Sequence, residues 1–398
     1  MSRRFLKNLL PSKPKPPEIS EPTMSSSLVA RLTQKQLEEY TPKPQPYFSF
    51  SGSKWQHATT RPPAAQEAPP PSADESSAAG ARISNLRLLT WNIDFMAPFP
   101  QARMAAALAH LRALVEGTPA STAVVVCLQE LRQDMPINFD RLEKSFDPQI
   151  ADDLRQIASA AWVQDRFLVS DLTTEHWRCG YNSVTLVDRR LGIASVARLP
   201  FVSEYNREAL LVDIAVKPSG GQAGAEAENG HQAILRVCNV HLDSLAGKPP
   251  MRPIQWKACA KYLQNEAEGA VSGILAGDCN SNQDYDLTLA EENRFKDAYL
   301  EMGGEDDDPE GHTWGPQSMK TRFPHKRMDK VCFWQQDRSE GQPLLELKSL
   351  EKIGVGVKVE DESVSERLAE EGWTDFVTDH YGLMAEFEVG EAWTLGVA

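Results

Sequence analysis

Short apolar runs separated by polar loops dominate the chain from about residue 83 onward. The run at residues 123–128 is apolar without interruption, which is typical of a strand buried on both faces. Two stretches have a helical pattern instead, 103–115 and 253–263, and the second begins with an early proline. Further strands are predicted at 86–91, 183–187, 209–216, 233–240, 273–276, 330–333 and 382–387. Because some strands follow one another directly and others through helices, the pattern predicts a mixed-sheet α/β or α+β sandwich.

Residues 1–82 have a different composition. They hold 13 of the 27 prolines and little periodic apolar pattern, which predicts a largely disordered tail before a folded domain at 83–392. Two islands in the tail are expected to order, a short helix at 28–40 and an aromatic segment at 47–55 that docks on the domain. The basic extreme N-terminus fits a nuclear address, a mitochondrial presequence or a solvated tail.

Charge and cysteine content narrow the class of protein. No apolar run approaches the ~18 residues needed to cross a bilayer, so a soluble protein is expected. A formal charge of −14 argues against coating of long duplex DNA, which requires many cationic contacts to phosphate. The six cysteines form no C-x-x-C pair and predict reduced thiols rather than a zinc site.

Four short segments, far apart in sequence, place polar side chains at the ends of apolar runs. They are Thr90-Trp91-Asn92-Ile93-Asp94, Leu128-Gln129-Glu130, Gly277-Asp278-Cys279-Asn280 and Thr378-Asp379-His380. Each alone also fits an ordinary exposed strand end or an Asp/Asn turn. Acids and amides that converge from several strand ends suit a hydrated Mg²⁺ ion and a phosphate ester.

The residue types suggest a different chemical role for each side chain at such a site. Glu130 is a candidate Mg²⁺ ligand, and Asp278 can take a proton from water while the amide of Asn280 donates to a phosphoryl oxygen. A histidinium at His380 can stabilise charge on phosphate, and Asp329 is the candidate carboxylate that orients it. A second strand-end histidine, His241, either contacts the metal carboxylate or the phosphate, or is structural.

These segments carry a family resemblance. The ordered set TWN, LQE, GDxN and [ST]DH resembles the exonuclease–endonuclease–phosphatase superfamily over about residues 84–390. Within it the chain is most similar to the 5′-tyrosyl-DNA phosphodiesterases. The likeness includes TWNID at 90–94, HLDS at 241–244 where that family has HLES, and TDHYGL at 378–383 where that family has SDHWGL.

The resemblance implies a fold and a set of roles. The fold would be an α+β, four-layer α/β/β/α sandwich of two mixed sheets flanked by helices. The cofactor would be Mg²⁺, with Mn²⁺ as the alternative ion. The implied metal-site residues are Glu130, Asn92, Asp94 and Asp379, and the implied catalytic residues are Asn92, Asp278, Asn280, Asp329, His380 and His241.

The implied reaction is hydrolysis of 5′-phosphotyrosyl DNA ends to leave a 5′-phosphate. The expected partner is a single-stranded 5′ end that carries a tyrosyl adduct, bound by a monomer without membrane contact. Candidate substrate residues are the aromatic platforms Tyr181, Trp314 and Phe323 and the phosphate contacts Arg207, Arg252 and Arg327. The expected location is nuclear or cytoplasmic, with the mitochondrion as the alternative.

Two other hypotheses remain open at this stage. One keeps the chemistry and changes the substrate, giving a general nuclease, a deadenylase or a phospholipid phosphodiesterase. The other is a catalytically inactive scaffold whose tail recruits partners. Under the leading hypothesis, deletion of residues 1–80 is expected to leave turnover of a short substrate nearly unchanged.

Overall fold

The structure is a computed structural model, and it describes residues 23–58, 82–136, 150–219, 232–319, 323–337 and 343–396. The strands are β1 (Lys43–Pro44), β2 (Tyr47–Ser51), β3 (Lys54–Ala58), β4 (Asn85–Asn92), β5 (Thr122–Pro136), β6 (Ile150–Asp152), β7 (Phe167–Val169), β8 (Tyr181–Asp188), β9 (Ile193–Pro200), β10 (Glu208–Pro218), β11 (Ile234–His241), β12 (Ala270–Asp278), β13 (Lys296–Asp297), β14 (Asp329–Gln335), β15 (Leu345–Ile353), β16 (Gly382–Val389) and β17 (Trp393–Leu395). The helices are α1 (Thr23–Glu39), α2 (Pro100–Glu116), α3 (Asp153–Ser159), α4 (Ala161–Arg166), α5 (Arg252–Leu263), α6 (Leu289–Glu292), α7 (Ala298–Glu301) and α8 (Glu362–Glu370). Within the described ranges, no helix has the length and apolar character of a membrane span.

The strands form two mixed sheets. The first has the order β1-β9-β10-β11-β12-β14-β13, with β17 added to β10. The second has the order β15-β16-β4-β5-β8-β7-β2-β3, with β6 added to β5. Each sheet contains one parallel pair at its centre, β11 with β12 and β4 with β5, so the carboxyl ends of these strands lie at one edge of each sheet.

Side-chain alternation along the central strands builds three apolar layers. On β4, Leu86 and Leu88 face the other sheet, whereas Leu89 and Trp91 face α2. The helix α5 covers the outer face of the first sheet through a separate cluster that includes Trp256. The result is the predicted four-layer α+β sandwich of two mixed sheets flanked by helices.

All of the strands and both helices predicted from residue 83 onward are present, with ends that differ by at most three residues except that β5 continues to Pro136 instead of ending at 128. From residue 83 onward the pattern missed the strands β6, β7, β9, β13, β15 and β17 and the helices α3, α4, α6, α7 and α8. A bulge between Leu347 and Ser349 interrupts the alternation of β15, so its leucines lose the two-residue spacing by which a strand is recognised. In β9, the inward-facing Arg198 hides the apolar pattern, since it is buried and paired with Asp171 and Glu208.

Residues 23–58, which we call the strap, are ordered, and they include both islands predicted to order, the helix at 28–40 within α1 and the aromatic segment at 47–55 within β2 and β3. Its strand β1 pairs with β9 of the first sheet, and β2 pairs with β7 of the second, so one segment joins the edges of both sheets. In α1, the side chain of Gln36 is buried and bonds the backbone of Pro200 and Val202. The folded domain therefore begins before residue 83, and β17 extends it past 392. The rest of the predicted tail, 1–22 and 59–81, lies outside the described residues.

The strap changes the expected result of truncation. Deletion of residues 1–58 should lower the free energy of unfolding by several kcal/mol, because it exposes strand edges and apolar surface that β1, β2 and Phe48 cover. Urea unfolding checks this, with a chain that lacks only residues 1–22 as the matched control. Equal midpoints for the two truncated chains would contradict a structural role for the strap.

A buried cluster of one carboxylate and two cations, at the pairing of β13 with β14, gives a second prediction. Asp297 accepts from Arg327 at 2.7 Å and from Lys330 at 2.9 Å, and these two cations hold its pKa below the usual value although burial alone raises it. Asp297→Asn should cost about 3–5 kcal/mol at pH 7, since it leaves buried cations unpaired. The stabilisation by ionised Asp297 is present above the unfolded pKa of 3.8 and is lost as the pH falls through the lower folded value. Urea unfolding should therefore show the difference between the two proteins shrinking below pH 3.8.

Candidate active site

The four polar segments meet at one end of the sandwich. In the first sheet, His241 ends β11 opposite Asp278 at the end of β12, and Asp278 lies opposite Asp329 at the start of β14. In the second sheet, Asn92 ends β4 beside Gln129 of β5. Face-to-face packing of the sheets brings these two rows of side chains together.

A break in β5 aims Glu130 into the site. The pairing of β5 with β8 shifts between Leu128 and Leu131, and Glu130 there has a φ of +63°. This is a left-handed conformation that few residues other than glycine adopt. The backbone N–H of Phe95 donates to Glu130 Oε2 at 2.9 Å and holds the carboxylate in this orientation.

Two carboxylates form the centre of the site. The amide nitrogen of Asn92 donates to Glu130 Oε1 at 3.2 Å and to Asp278 Oδ2 at 3.0 Å. His241 Nε2 lies 3.4 Å from each of the same two oxygens. Asn280 bonds Asp278 with its backbone N–H at 2.8 Å and its side-chain amide at 3.3 Å. Two side chains, Asn92 and His241, therefore bridge the oxygens of Glu130 and Asp278, and Asn280 holds Asp278 in place.

His380 and Asp329 form the predicted pair beside this centre. His380 Nδ1 lies 2.8 Å from Asp329 Oδ2, and His380 Nε2 lies 3.8 Å from Asp278 Oδ2. Burial by itself lowers the pKa of His380, but the carboxylates of Asp329 and Asp278 raise it well above its usual value. The side chain is therefore an imidazolium at neutral pH, with Nε2–H directed toward the site.

The positive charge around the buried carboxyl groups of the site is too small to offset the cost of ionising them. Burial raises the pKa of Glu130 above its usual value. Burial, with smaller contributions from neighbouring carboxylates, raises the pKa of Asp278 to about 7. Burial and the charges of Asp379 and Glu130 raise the pKa of Asp94 to about 8. A cation bound among these groups would offset the cost of ionising them.

His241 is fixed in one tautomer by Arg207. The guanidinium Nη1 of Arg207 lies 2.5 Å from His241 Nδ1, and a guanidinium can only donate. Nδ1 is therefore the acceptor, and Nε2 carries the proton that faces Glu130 and Asp278. Burial and the charges of Arg207 and His380 hold the pKa of His241 well below its usual value. The ring is neutral and offers a hydrogen, not a lone pair, to the centre.

The residues present fit a hard divalent cation. Glu130, His241 and Asp278 place one candidate ligand atom each within 4.8 Å of one another. Because Nε2 of His241 is protonated, the ligand atoms in this group are carboxylate oxygens, with Glu130 as the candidate metal ligand, Asp278 beside it, and further oxygens of Asp94 and Asp379 nearby. Asn92 directs its nitrogen at the carboxylates, so in this arrangement it supports the ligands rather than binding metal itself. Asn280 likewise uses its amide N–H groups on Asp278 and on the carbonyl of Leu242.

The predicted substrate residues divide into two groups. Trp314 lies at the site, where its Nε1 donates to Asp379 Oδ2 at 2.7 Å. Tyr181 also lies at the site, but Phe95 stacks on its ring and Arg207 lies over it, so its faces are already in protein contacts. Arg207 is itself buried against His241. The structure corrects its predicted phosphate contact to support of a histidine.

Two arginines predicted to contact phosphate are structural. Arg252 is 1% exposed, and all three of its guanidinium nitrogens are bonded within the protein, mainly to Asp286 and to the backbone of Asp243. Arg327 is buried and paired with Asp297 and Asp306. Phe323 is exposed at the edge of an undescribed stretch.

Sequence reasoning missed Phe95 and Arg132. Phe95 directly follows the TWNID segment, and its backbone N–H is the group that bonds Glu130. Arg132 lies two residues after Glu130 and donates to the carbonyl of Phe95 at 3.0 Å. Each residue lies next to a motif segment, and this was the indication available in the sequence. The contact between Phe95 and Arg132, however, depends on the bulge in β5.

Comparison with known proteins places this geometry in a family. Residues 89–333, more than half of the chain, match the model of the Endonuclease/Exonuclease/phosphatase family. The chain belongs to this family. It is therefore a divalent-metal-dependent hydrolase of phosphate esters, and the superfamily resemblance of the sequence is confirmed. A search of curated proteins found no match.

Several solved structures share the fold. A D. rerio TDP2 humanized by 14 mutations has 18% identity and a TM-score of 0.51, over 77% of this chain and 99% of that one. D. rerio TDP2 complexed with a single-strand DNA product has 18% identity and a TM-score of 0.50, over 77% and 100%. Truncated TDP2 of Caenorhabditis elegans has 18% identity and a TM-score of 0.50, over 77% and 98%. At this identity the likeness establishes a shared fold.

The tautomer of His241 is directly testable. In protein kept in EDTA at pH 7.5, ¹⁵N NMR should show His241 neutral with the proton on Nε2, and His380 doubly protonated. Arg207→Met should reduce the Nε2–H population of His241 because the donor to Nδ1 is removed. A neutral His241 with the proton on Nδ1 would contradict the assignment.

Proposed function

We propose that this protein is a Mg²⁺-dependent phosphodiesterase that hydrolyses 5′-phosphotyrosyl DNA ends, as in the repair of trapped topoisomerase adducts. The observation that carries the proposal is the convergence of Asn92, Glu130, Asp278 and His380, from four separate segments, on one centre. The fold shared with TDP2 structures, one of them complexed with a single-strand DNA product, supports a DNA end as the substrate.

The chain's own groups fit the steps of this hydrolysis. Asp278, which accepts hydrogen bonds from Asn92 and Asn280, takes a proton from the attacking water, whose oxygen bonds to phosphorus while the bond from phosphorus to the phenol oxygen breaks and the phenolate leaves, to be protonated by solvent. The Nε2–H of His380, held by Asp329, donates to the phosphate oxygens as charge develops. A bound Mg²⁺ would supply Lewis-acid polarisation of the phosphate, held by Glu130 and neighbouring acids. The products are a 5′-phosphate and a free tyrosine.

The ion and the compartment belong to the same proposal. An oxygen-rich set of carboxylates favours Mg²⁺ or Mn²⁺ over zinc. The six cysteines are free thiols, and Cys238 and Cys259 form no disulfide, since their sulfurs lie 3.9 Å apart at hydrogen-bond distance. This supports action in a reducing compartment such as the nucleus or the cytoplasm.

The test is single-turnover cleavage of a 5′-phosphotyrosyl oligonucleotide, with Mg²⁺ and with EDTA, beside an unmodified oligonucleotide of the same sequence. We expect metal-dependent release of tyrosine with the control intact. Glu130→Gln and Asp278→Asn should each reduce the rate by about 10²–10⁴-fold, whereas Glu366→Gln on the exposed face of α8 should not.

The other outcomes contradict specific parts of the proposal. Degradation of both oligonucleotides would identify a general nuclease. If neither oligonucleotide is cleaved, the proposed substrate is wrong, and RNA or another phosphate ester hydrolysed by this family is the substrate instead. Full activity in both Glu130→Gln and Asp278→Asn would mean that the catalytic centre lies elsewhere.

A further inference from the structure

A continuous stack of four side chains lies beside Glu130. The rings of Phe95 and Tyr181 are parallel within 7° with centroids 3.8 Å apart. The guanidinium of Arg132 lies 5.4 Å from the centre of the Phe95 ring, and that of Arg207 lies 4.9 Å from the centre of the Tyr181 ring. Two aromatic rings are thus flanked by two cations, an arrangement in which stacking and cation–π attraction act together.

The stack joins the loop after β4 to the paired strands β5 and β8. Arg132 on β5 and Tyr181 on β8 are cross-strand partners, so their side chains rise from one rigid ladder. Phe95 lies in the loop after β4, and Arg132 also donates to the carbonyl oxygen of Phe95 at 3.0 Å. Both the ring and the carbonyl of Phe95 are therefore anchored on β5 and β8.

The anchored residue carries a group that the metal centre uses. The backbone N–H of Phe95 bonds Glu130 Oε2, while Oε1 of the same carboxylate faces Asn92 and His241. At the other end of the stack, Arg207 bonds His241 Nδ1. The stack thus supports one metal-site carboxylate through Phe95 and the adjacent histidine through Arg207.

We propose that Phe95 is a positioning residue, whose stacked ring fixes the backbone N–H that orients Glu130 for metal binding. The inference rests on the metal dependence of the proposed function and not on its substrate. Phe95 is half-buried and lies outside the apolar clusters found in the described part of the chain, so its ring does not serve the core. Loss of such an outer support of a metal ligand weakens metal affinity about 10–100-fold.

The test is binding of Mn²⁺ alone, measured from the EPR signal of the free ion, without any substrate. Phe95→Leu keeps an apolar side chain but removes the stack, and it should weaken Mn²⁺ binding about tenfold or more. Phe95→Tyr keeps the stack and should restore binding. Met96→Ala changes the neighbouring side chain, which is 58% exposed, and serves as the matched control.

A second measurement separates positioning from loss of folding and from substrate contact. Phe95→Leu and Tyr181→Leu should weaken Mn²⁺ binding by similar factors, and the double variant should be no weaker than either, because each removes the same stack. Thermal unfolding of the metal-free variants should match that of the wild type within a few degrees. In turnover assays, the Phe95→Leu defect should shrink at saturating Mg²⁺.

Either of two results would overturn the proposal. Wild-type Mn²⁺ affinity in folded Phe95→Leu would show that the stack does not support Glu130. A raised KM for substrate with unchanged Mn²⁺ affinity would show that the rings bind substrate instead. Since Mn²⁺ binding involves no nucleic acid, a failure of the tyrosyl substrate assignment leaves this test intact.

Discussion

Hydrogen bonds between the two sheets are the constraint on which the rest of the structure depends. Inside the sandwich, Gln129 donates to Asn239 Oδ1 at 2.8 Å, and the amide of Asn239 bonds the carbonyls of Leu128 and Val184 on the opposite sheet. Buried amides are costly without hydrogen-bond partners, so a shift of the sheets that separated Gln129 from Asn239 would be unfavourable. One residue further along β5, at Glu130, and two residues further along β11, at His241, the same alignment makes the active centre.

Catalytic electrostatics follow from that alignment. The alignment buries carboxyl groups from both sheets in one place. Burial disfavours their ionised form and raises the pKa values of Glu130, Asp278 and Asp94. Two cationic groups, Arg207 and the imidazolium of His380, offset only part of this cost. The arrangement is therefore incomplete without a bound cation, which is the physical basis of metal dependence in this site.

The chain alone predicted much of the fold and most of the site. Apolar periodicity located the central strands, because their burial on both faces leaves little freedom in sequence. It failed where polar residues serve structure, as at Arg198 in β9, and where a bulge shifts the alternation, as in β15. In the strap, the helix and the docked aromatic segment were predicted, but β1 was not, because a proline-rich composition suggests disorder, whereas its order comes from pairing with the edge of an existing sheet.

What the sequence determined by itself was the chemistry available: acids, amides and a histidine at strand ends, each beside an apolar run. Only the tertiary structure decided their roles, because a role depends on distance and orientation. Arg207 and Arg252 look alike in sequence, yet one fixes the tautomer of His241 and the other is enclosed by Asp286 and backbone carbonyls. The role of Phe95 depends on a bulge in the neighbouring strand β5, which brings Glu130 to the backbone N–H of Phe95.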